Sequence, residues 1–227
     1  MFPYRDANPS ESTPIVTIGL IAVNVGAFLW ELSLGDRIQS AIYAWGVVPN
    51  QGFRAMSYFS SMFLHGGWFH VASNMGWLWI FGDNVEDRLG HFRVLLFYFA
   101  CGLAAGITHT AFNLASPLPA VGASGAVAGV LGAYLVLFPK ARVLTLVPLF
   151  LYYEVVELPA FLVLGFWFLA QFLNGTATIA MTSAAAGVAW WAHIGGFLAG
   201  IAFLFLLLPS QNPKNGYNRK NPKGIFP

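Results

Sequence analysis

The sequence predicts an all-α polytopic membrane protein, a bundle of six transmembrane helices, and three observations predict it. First, 57% of the 227 residues are hydrophobic and only 9% are charged; a soluble domain carries about 25% charge. Second, the mean hydropathy is +0.65, and apolar runs recur that suit a hydrocarbon core about 30 Å thick. Third, the charges gather in turns and tails between these runs. So few charges cannot solvate a globule of this size. The net charge of +2 is too small to suggest a nucleic-acid partner. The single cysteine, Cys101, excludes an internal disulfide and any thiolate cluster.

Residues 1–13 are polar, with Pro3, Pro9 and one basic residue, Arg5, and read as a short tail. Residues 14–208 form the helical core, starting with the apolar run Pro14 to Trp30. One arginine precedes that run and no small-residue cleavage site follows it, so it reads as an anchor. Glu31 to His65 is a long mixed segment whose aromatic residues (Tyr43, Trp45, Phe53, Tyr58, Phe59, Phe63) suit a loop in the membrane interface. Trp68 to Phe81 is the second span, interrupted by His70, Ser73 and Asn74, and Gly82 to Arg93 a charged turn. Val94 to Leu114 is the third span, closed by Ser116-Pro117-Leu118-Pro119. Ser124 to Phe138 is a short fourth, ending at Pro139. Leu158 to Leu173 is the fifth, Asn174 to Gly187 an uncharged loop of small residues, and Trp190 to Leu208 the sixth. Residues 209–227 are a basic tail.

Val143 to Tyr153 is apolar but, at 11 residues, too short to span. Charge placement agrees. With six spans, Arg5, Arg88, Arg93, Lys140, Arg142, Lys214, Arg219, Lys220 and Lys223 share one side, and only Arg37 and Arg54 face the other. That split predicts both termini in the cytoplasm. Val143 to Tyr153 is then expected to be an apolar loop at the inner face.

This topology sorts the polar residues. The second, fourth and sixth spans all run inward, and His70 with Asn74, Ser124, and His193 lie near their starts. The four therefore fall at one level, in the outer half of the membrane. Fifteen residues, Ser124 to Phe138, make about 22 Å of helix at 1.5 Å per residue, which leaves Ser124 roughly 8 Å below the outer boundary. Loop backbone at that depth needs surrounding protein or a watery cavity. Gly125, Gly129 and Gly132 form a small-residue stripe, and Gly196 and Gly200 a small-xxx-small pair that shares its face with His193. These stripes bring the serine and histidine helices together.

A serine hydroxyl needs a base within about 2.6–3.2 Å to act as a nucleophile, and histidine has a suitable pKa. All nine acidic residues lie in loops or tails, so a triad has no carboxylate and the expectation is a Ser124–His193 dyad. Ser124 opens a helix with unpaired backbone N–H groups, and His70 and Asn74 share a face at i and i+4, so these can serve an oxyanion. Each piece alone has a plainer reading: Gly-x-Ser-Gly as helix packing, a membrane histidine as a capping group, Asn74 as interhelical glue. His109 reads as structural, His65 as loop architecture, and His91 as part of the charged turn.

Three motifs sharpen this. Phe63-Leu64-His65-Gly66-Gly67-Trp68-Phe69-His70 with Asn74, then Gly122-Ala123-Ser124-Gly125, then Ala192-His193-Ile194-Gly195-Gly196 with Gly200, resemble the signature set of the rhomboid intramembrane serine proteases of the prokaryotic six-helix type. The resemblance runs from about Pro14 to Leu208. It implies an enzyme without cofactors in the plasma (inner) membrane, cleaving single-span transmembrane protein substrates near the outer boundary of the lipid bilayer. It makes Ser124 the nucleophile and His193 the base, with His70, Asn74, Gly122 and the Ser124 amide on the oxyanion side. It implies that the first loop is a membrane-embedded scaffold, and that the fifth helix and the loop after it form a gate and cap. Many members place an aromatic residue four positions after the serine, stacked under the histidine; this chain has Ala128 there, with Trp190 or Trp191 as the expected substitute. The alternative is a non-catalytic relative that binds transmembrane helices; such relatives typically lack the serine or the histidine. A metal or haem protein using His70, His109 and His193, or a transporter, is the weaker reading.

Overall fold

A computed structural model describes residues 2–149, 152–180 and 188–208. The tail residues Lys214, Arg219, Lys220 and Lys223, and residues 181–187 of the expected cap loop, lie outside the described residues.

Each expected span is a helix. They are α1 (Ile15–Ser33), α4 (Trp68–Leu89), α5 (His91–Phe112), α6 (Ser124–Leu137), α7 (Ala160–Ala180) and α8 (Trp190–Leu207). The first loop holds two short helices, α2 (Ile38–Trp45) and α3 (Ala55–Ser60). By length and apolarity α1, α5, α7 and α8 are each able to cross a membrane. The chain is a multi-pass membrane protein. Two helices run past their expected ends. α4 continues through the charged residues to Leu89 and stops at Gly90, whose φ of +80° breaks the helix before α5. α7 runs seven residues beyond Leu173, and along that stretch its polar side chains bond back to the helix: Asn174 Nδ2 donates to the Ala170 carbonyl and Thr176 Oγ1 to that of Phe172.

α6 is the centre of the bundle, with every residue from Gly125 to Tyr134 buried. A Cβ on Gly125 would strike Ala105 of α5, and one on Gly129 would reach Cys101 one turn earlier in α5, so α5 and α6 are antiparallel. A Cβ on Gly196 would meet the Gly125 carbonyl, and one on Gly200 the Gly129 carbonyl, so α6 and α8 are parallel and touch backbone to backbone. The Phe81 ring of α4 meets Tyr134 of α6 edge-on at 4.7 Å, while Asn74 lies near Gly122, so α4 is parallel to both.

Two expectations for the inner end are corrected. Within Val143 to Tyr153 the described residues are strand rather than loop. β2 (Arg142–Leu149) and β3 (Tyr152–Pro159) pair as an antiparallel hairpin. Nor are residues 1–13 simply a tail: β1 (Phe2–Asp6) pairs with β2, giving a three-stranded sheet in the order β1-β2-β3. The sheet adds to the helical bundle without replacing any of it. Val143 and Thr145 alternate inward and are fully buried. Tyr134 Oη donates to Asp6 Oδ2 at 2.6 Å and ties β1 to α6. Burial raises the Asp6 carboxyl above its ordinary value, and the Tyr134 hydrogen bond works against that rise. Asp87 accepts the backbone N–H groups of Glu11 (2.6 Å) and Ser12 (3.0 Å), holding the N-terminal segment on the α4–α5 turn. Glu86 is buried and accepts the Val16 and Thr17 N–H groups, the otherwise unpaired donors at the start of α1.

Candidate active site

The segment before α6 is exposed at Leu114, Pro117 and Leu118 and becomes partly buried from Pro119 to Gly122. Val47 and Ala120 form a β-bridge. The Gly122 N–H donates to the Ser61 carbonyl at 2.8 Å. Gly122 has φ +124°, where side chains are strained, and a Cβ there would lie 2.6 Å from His70 Nε2 and 3.6 Å from Asn74 Nδ2. The glycine is what lets the loop lie directly against both α4 side chains.

Two nitrogens converge on this turn. The Gly66 N–H donates to His70 Nδ1 at 3.2 Å. A backbone N–H only donates, so Nδ1 accepts, and in the neutral ring the proton sits on Nε2, on the Gly122 side. Asn74 is buried, and its Nδ2 has no partner among the described residues. An unpaired buried donor is costly unless something else takes the bond. Ser124 follows as the first residue of α6, with its backbone N–H free of any intrahelical partner.

α8 brings His193 to the same region. Ala192 lies beside it, its carbonyl 3.7 Å from a Cβ on Gly125, and Gly196 meets Gly125 one turn later. His193 is half-buried. Among the described residues no hydrogen bond joins Ser124 Oγ to His193. In resting enzymes such bonds are often long and tighten only around substrate. His193 Nδ1 instead lies 2.7 Å from Gln171 Oε1 on α7. Trp167, one turn before Gln171, faces the imidazole at 5.8 Å with a 33° tilt, and Trp190 meets it edge-on at 6.3 Å.

The structure thus brings His70, Asn74 and Gly122 into contact, and packs the starts of α6 and α8 together. Of the two tryptophans expected to stand in for an aromatic at Ala128, Trp190 touches His193 and Trp191 does not; Trp191 stacks on Phe112 at 3.7 Å. The Asn113 amide donates to the His109 carbonyl at 2.8 Å and lies 3.5 Å from His109 Nδ1. His65 is buried and orders the first loop, its N–H donating to Glu31 at 3.0 Å and its Nδ1 lying 3.2 Å from the Phe63 carbonyl. Sequence reasoning missed Gln171 and Trp167. The available signal was that Gln171 is the one amide side chain in the run Ala160 to Leu173; a polar group inside a span needs a partner.

Similarity to known proteins extends over most of the chain. The Rhomboid domain family model matches residues 52–210. The chain is 28% identical over 212 residues to Rhomboid protein 1, mitochondrial, of Saccharomyces cerevisiae, covering 89% of this chain and 55% of that protein. It is 27% identical over 112 residues to Rhomboid protease GlpG of Klebsiella pneumoniae, covering 49% and 40%. It is 35% identical over 126 residues to Rhomboid protease GluP of Bacillus subtilis, covering 54% and 24%. The chain spans about half or less of the length of these curated relatives. With a family model matched over more than half of its residues, the chain belongs to the rhomboid family.

Proposed function

We propose that this protein is an intramembrane serine endopeptidase acting through a Ser124–His193 dyad on single-span membrane proteins near the outer membrane boundary. The observation that carries the reading is the convergence of the protonated His70 Nε2 and the unpartnered Asn74 Nδ2 on the Gly122 turn, next to Ser124. Donors aimed at one point beside a serine suit an oxyanion.

In the proposed reaction Ser124 Oγ attacks the scissile carbonyl carbon and His193 Nε2 takes its proton. The carbonyl oxygen becomes the oxyanion, held by His70 Nε2–H, Asn74 Nδ2–H and the Ser124 N–H. The intermediate collapses as the C–N bond breaks, and the imidazolium returns its proton to the leaving amine. Water, activated by the same nitrogen, then attacks the acyl-enzyme, and Ser124 departs with the proton. The charge asymmetry of the turns supports a plasma-membrane protein with both termini cytoplasmic, which puts the site in the outer half of the bilayer.

The test is cleavage of a model single-span substrate in liposomes by the natural protein, Ser124→Ala and His193→Ala, each with and without EDTA. Loss of cleavage in both variants, with EDTA harmless, is expected. Cleavage that survives Ser124→Ala overturns the dyad. Folded protein that cleaves no member of a panel of such substrates points instead to a helix-binding relative.

A further inference from the structure

We infer that Gln171 is the positioning residue for His193, standing where a serine hydrolase places its carboxylate; this rests on the proposed role of His193 as the base. A histidine base works only if one ring nitrogen is protonated and held, so that the other presents its lone pair to the serine. Gln171 Oε1 lies 2.7 Å from His193 Nδ1. The side chain of Gln171 is buried, at 7% exposure. Its Nε2 donates to the Trp167 carbonyl at 3.3 Å, so the amide nitrogen is occupied on its own helix and the oxygen faces the imidazole. An amide oxygen only accepts. Nδ1 therefore carries the proton and Nε2 is left as the acceptor.

The choice of residue type fits the setting. No carboxylate among the described residues bonds to His193. A carboxylate at this level would carry the cost of a buried charge in the membrane, or would take up a proton and keep only its carbonyl oxygen as an acceptor. A neutral amide holds the tautomer and ring direction without that cost. It gives up the ion-pair stabilisation of the imidazolium that a carboxylate supplies.

α7 supplies two of the contacts to His193, beside the edge-on Trp190 of α8. Trp167 and Gln171 are one turn apart, on one face, and both touch His193, while Trp167 also meets Trp77 of α4 at 5.9 Å. In this chain Ala128 leaves no ring beneath the histidine from α6. α7 therefore gives His193 both its hydrogen-bond acceptor and a facing ring, while α8 adds the edge of Trp190.

The experiment compares steady-state cleavage by the full chain with Gln171→Met and Gln171→Glu, alongside Ser124→Ala and thermal unfolding of each. Methionine keeps the length and apolar bulk but not the acceptor; glutamate keeps an oxygen at the same place. The expected result is that Gln171→Met lowers kcat roughly tenfold or more at unchanged KM and unchanged Tm, and that Gln171→Glu recovers most of the loss. Wild-type kcat in folded Gln171→Met overturns the inference, as does equal impairment of both variants, which marks a packing role. Should Gln171→Met not fold, Gln171→Asn decides: withdrawal of the oxygen by one methylene lowers kcat, and wild-type kcat overturns the inference. Cleavage that persists in Ser124→Ala overturns the dyad itself; cleavage that needs Ser124 but is indifferent to residue 171 overturns only this assignment.

Discussion

Gly122 shows what a single residue decides. Its φ of +124° and the closeness of His70 leave no room for a side chain. Gly122→Ala carries backbone strain of about 1–3 kcal/mol and pushes His70 Nε2 away from the turn. The expected outcome is a kcat lower by about a hundredfold, the usual scale for a lost oxyanion donor, with a Tm reduced by only a few degrees. A variant with wild-type kcat would show that His70 does not face the reacting carbonyl. Ser124, His193, His70 and Asn74 stood out in the sequence as candidates, because few polar residues interrupt the spans and each interruption needs a reason. Gln171 was equally visible as a polar residue, but its partner was not. The i to i+4 spacing of Trp167 and Gln171 fixes a shared face; which neighbouring helix that face meets depends on packing.

The decisive element is the α6–α8 seam. Gly125 and Gly129 meet Gly196 and Gly200 with no side chain between them, so the distance from Ser124 to His193 is set by backbone contact. Gly200→Val places its branches against the Gly129 backbone, which cannot yield as a flexible side chain would. It is expected to destabilise the protein by about 1–3 kcal/mol and to abolish cleavage by spreading the seam. Unfolding in detergent and the cleavage assay read the two effects, and a stable, active variant would show that the seam has slack. The helical stripe was readable from glycine spacing alone. The β2–β3 hairpin was not. Its buried Val143 and Thr145 alternate with Leu144 and Leu146, so apolar residues fall on both faces and the two-residue period is hidden. The remaining signal was β-branched composition at Val143, Thr145, Val147, Val155 and Val156.

Across the whole molecule, the N-terminal segment, the α4–α5 turn and the β-sheet gather at one end of the bundle. The basic residues of that end include Arg5, Arg88, Lys140 and Arg142, while Arg37 and Arg54 lie in the first loop. The orientation this implies is open to a labelling test, because the single native cysteine, Cys101, is buried. In intact cells an impermeant thiol reagent is expected to label Arg54→Cys and to leave Lys140→Cys unlabelled until the membrane is opened. The reverse pattern would invert the topology and move the site to the inner half of the bilayer.

Composition, the spacing of apolar runs and the placement of charge determined, without coordinates, a multi-pass helical bundle and the order in which its polar residues arrive. These are properties of the chain in a lipid solvent, where each span must satisfy its own backbone and each charge must stay in water. Tertiary structure alone decided that the turn before α6 lies against His70 and Asn74, that the N-terminus completes a sheet, and that Gln171 rather than a carboxylate faces His193. Such contacts join residues distant in sequence, and their partners are chosen by helix packing, which local periodicity does not encode.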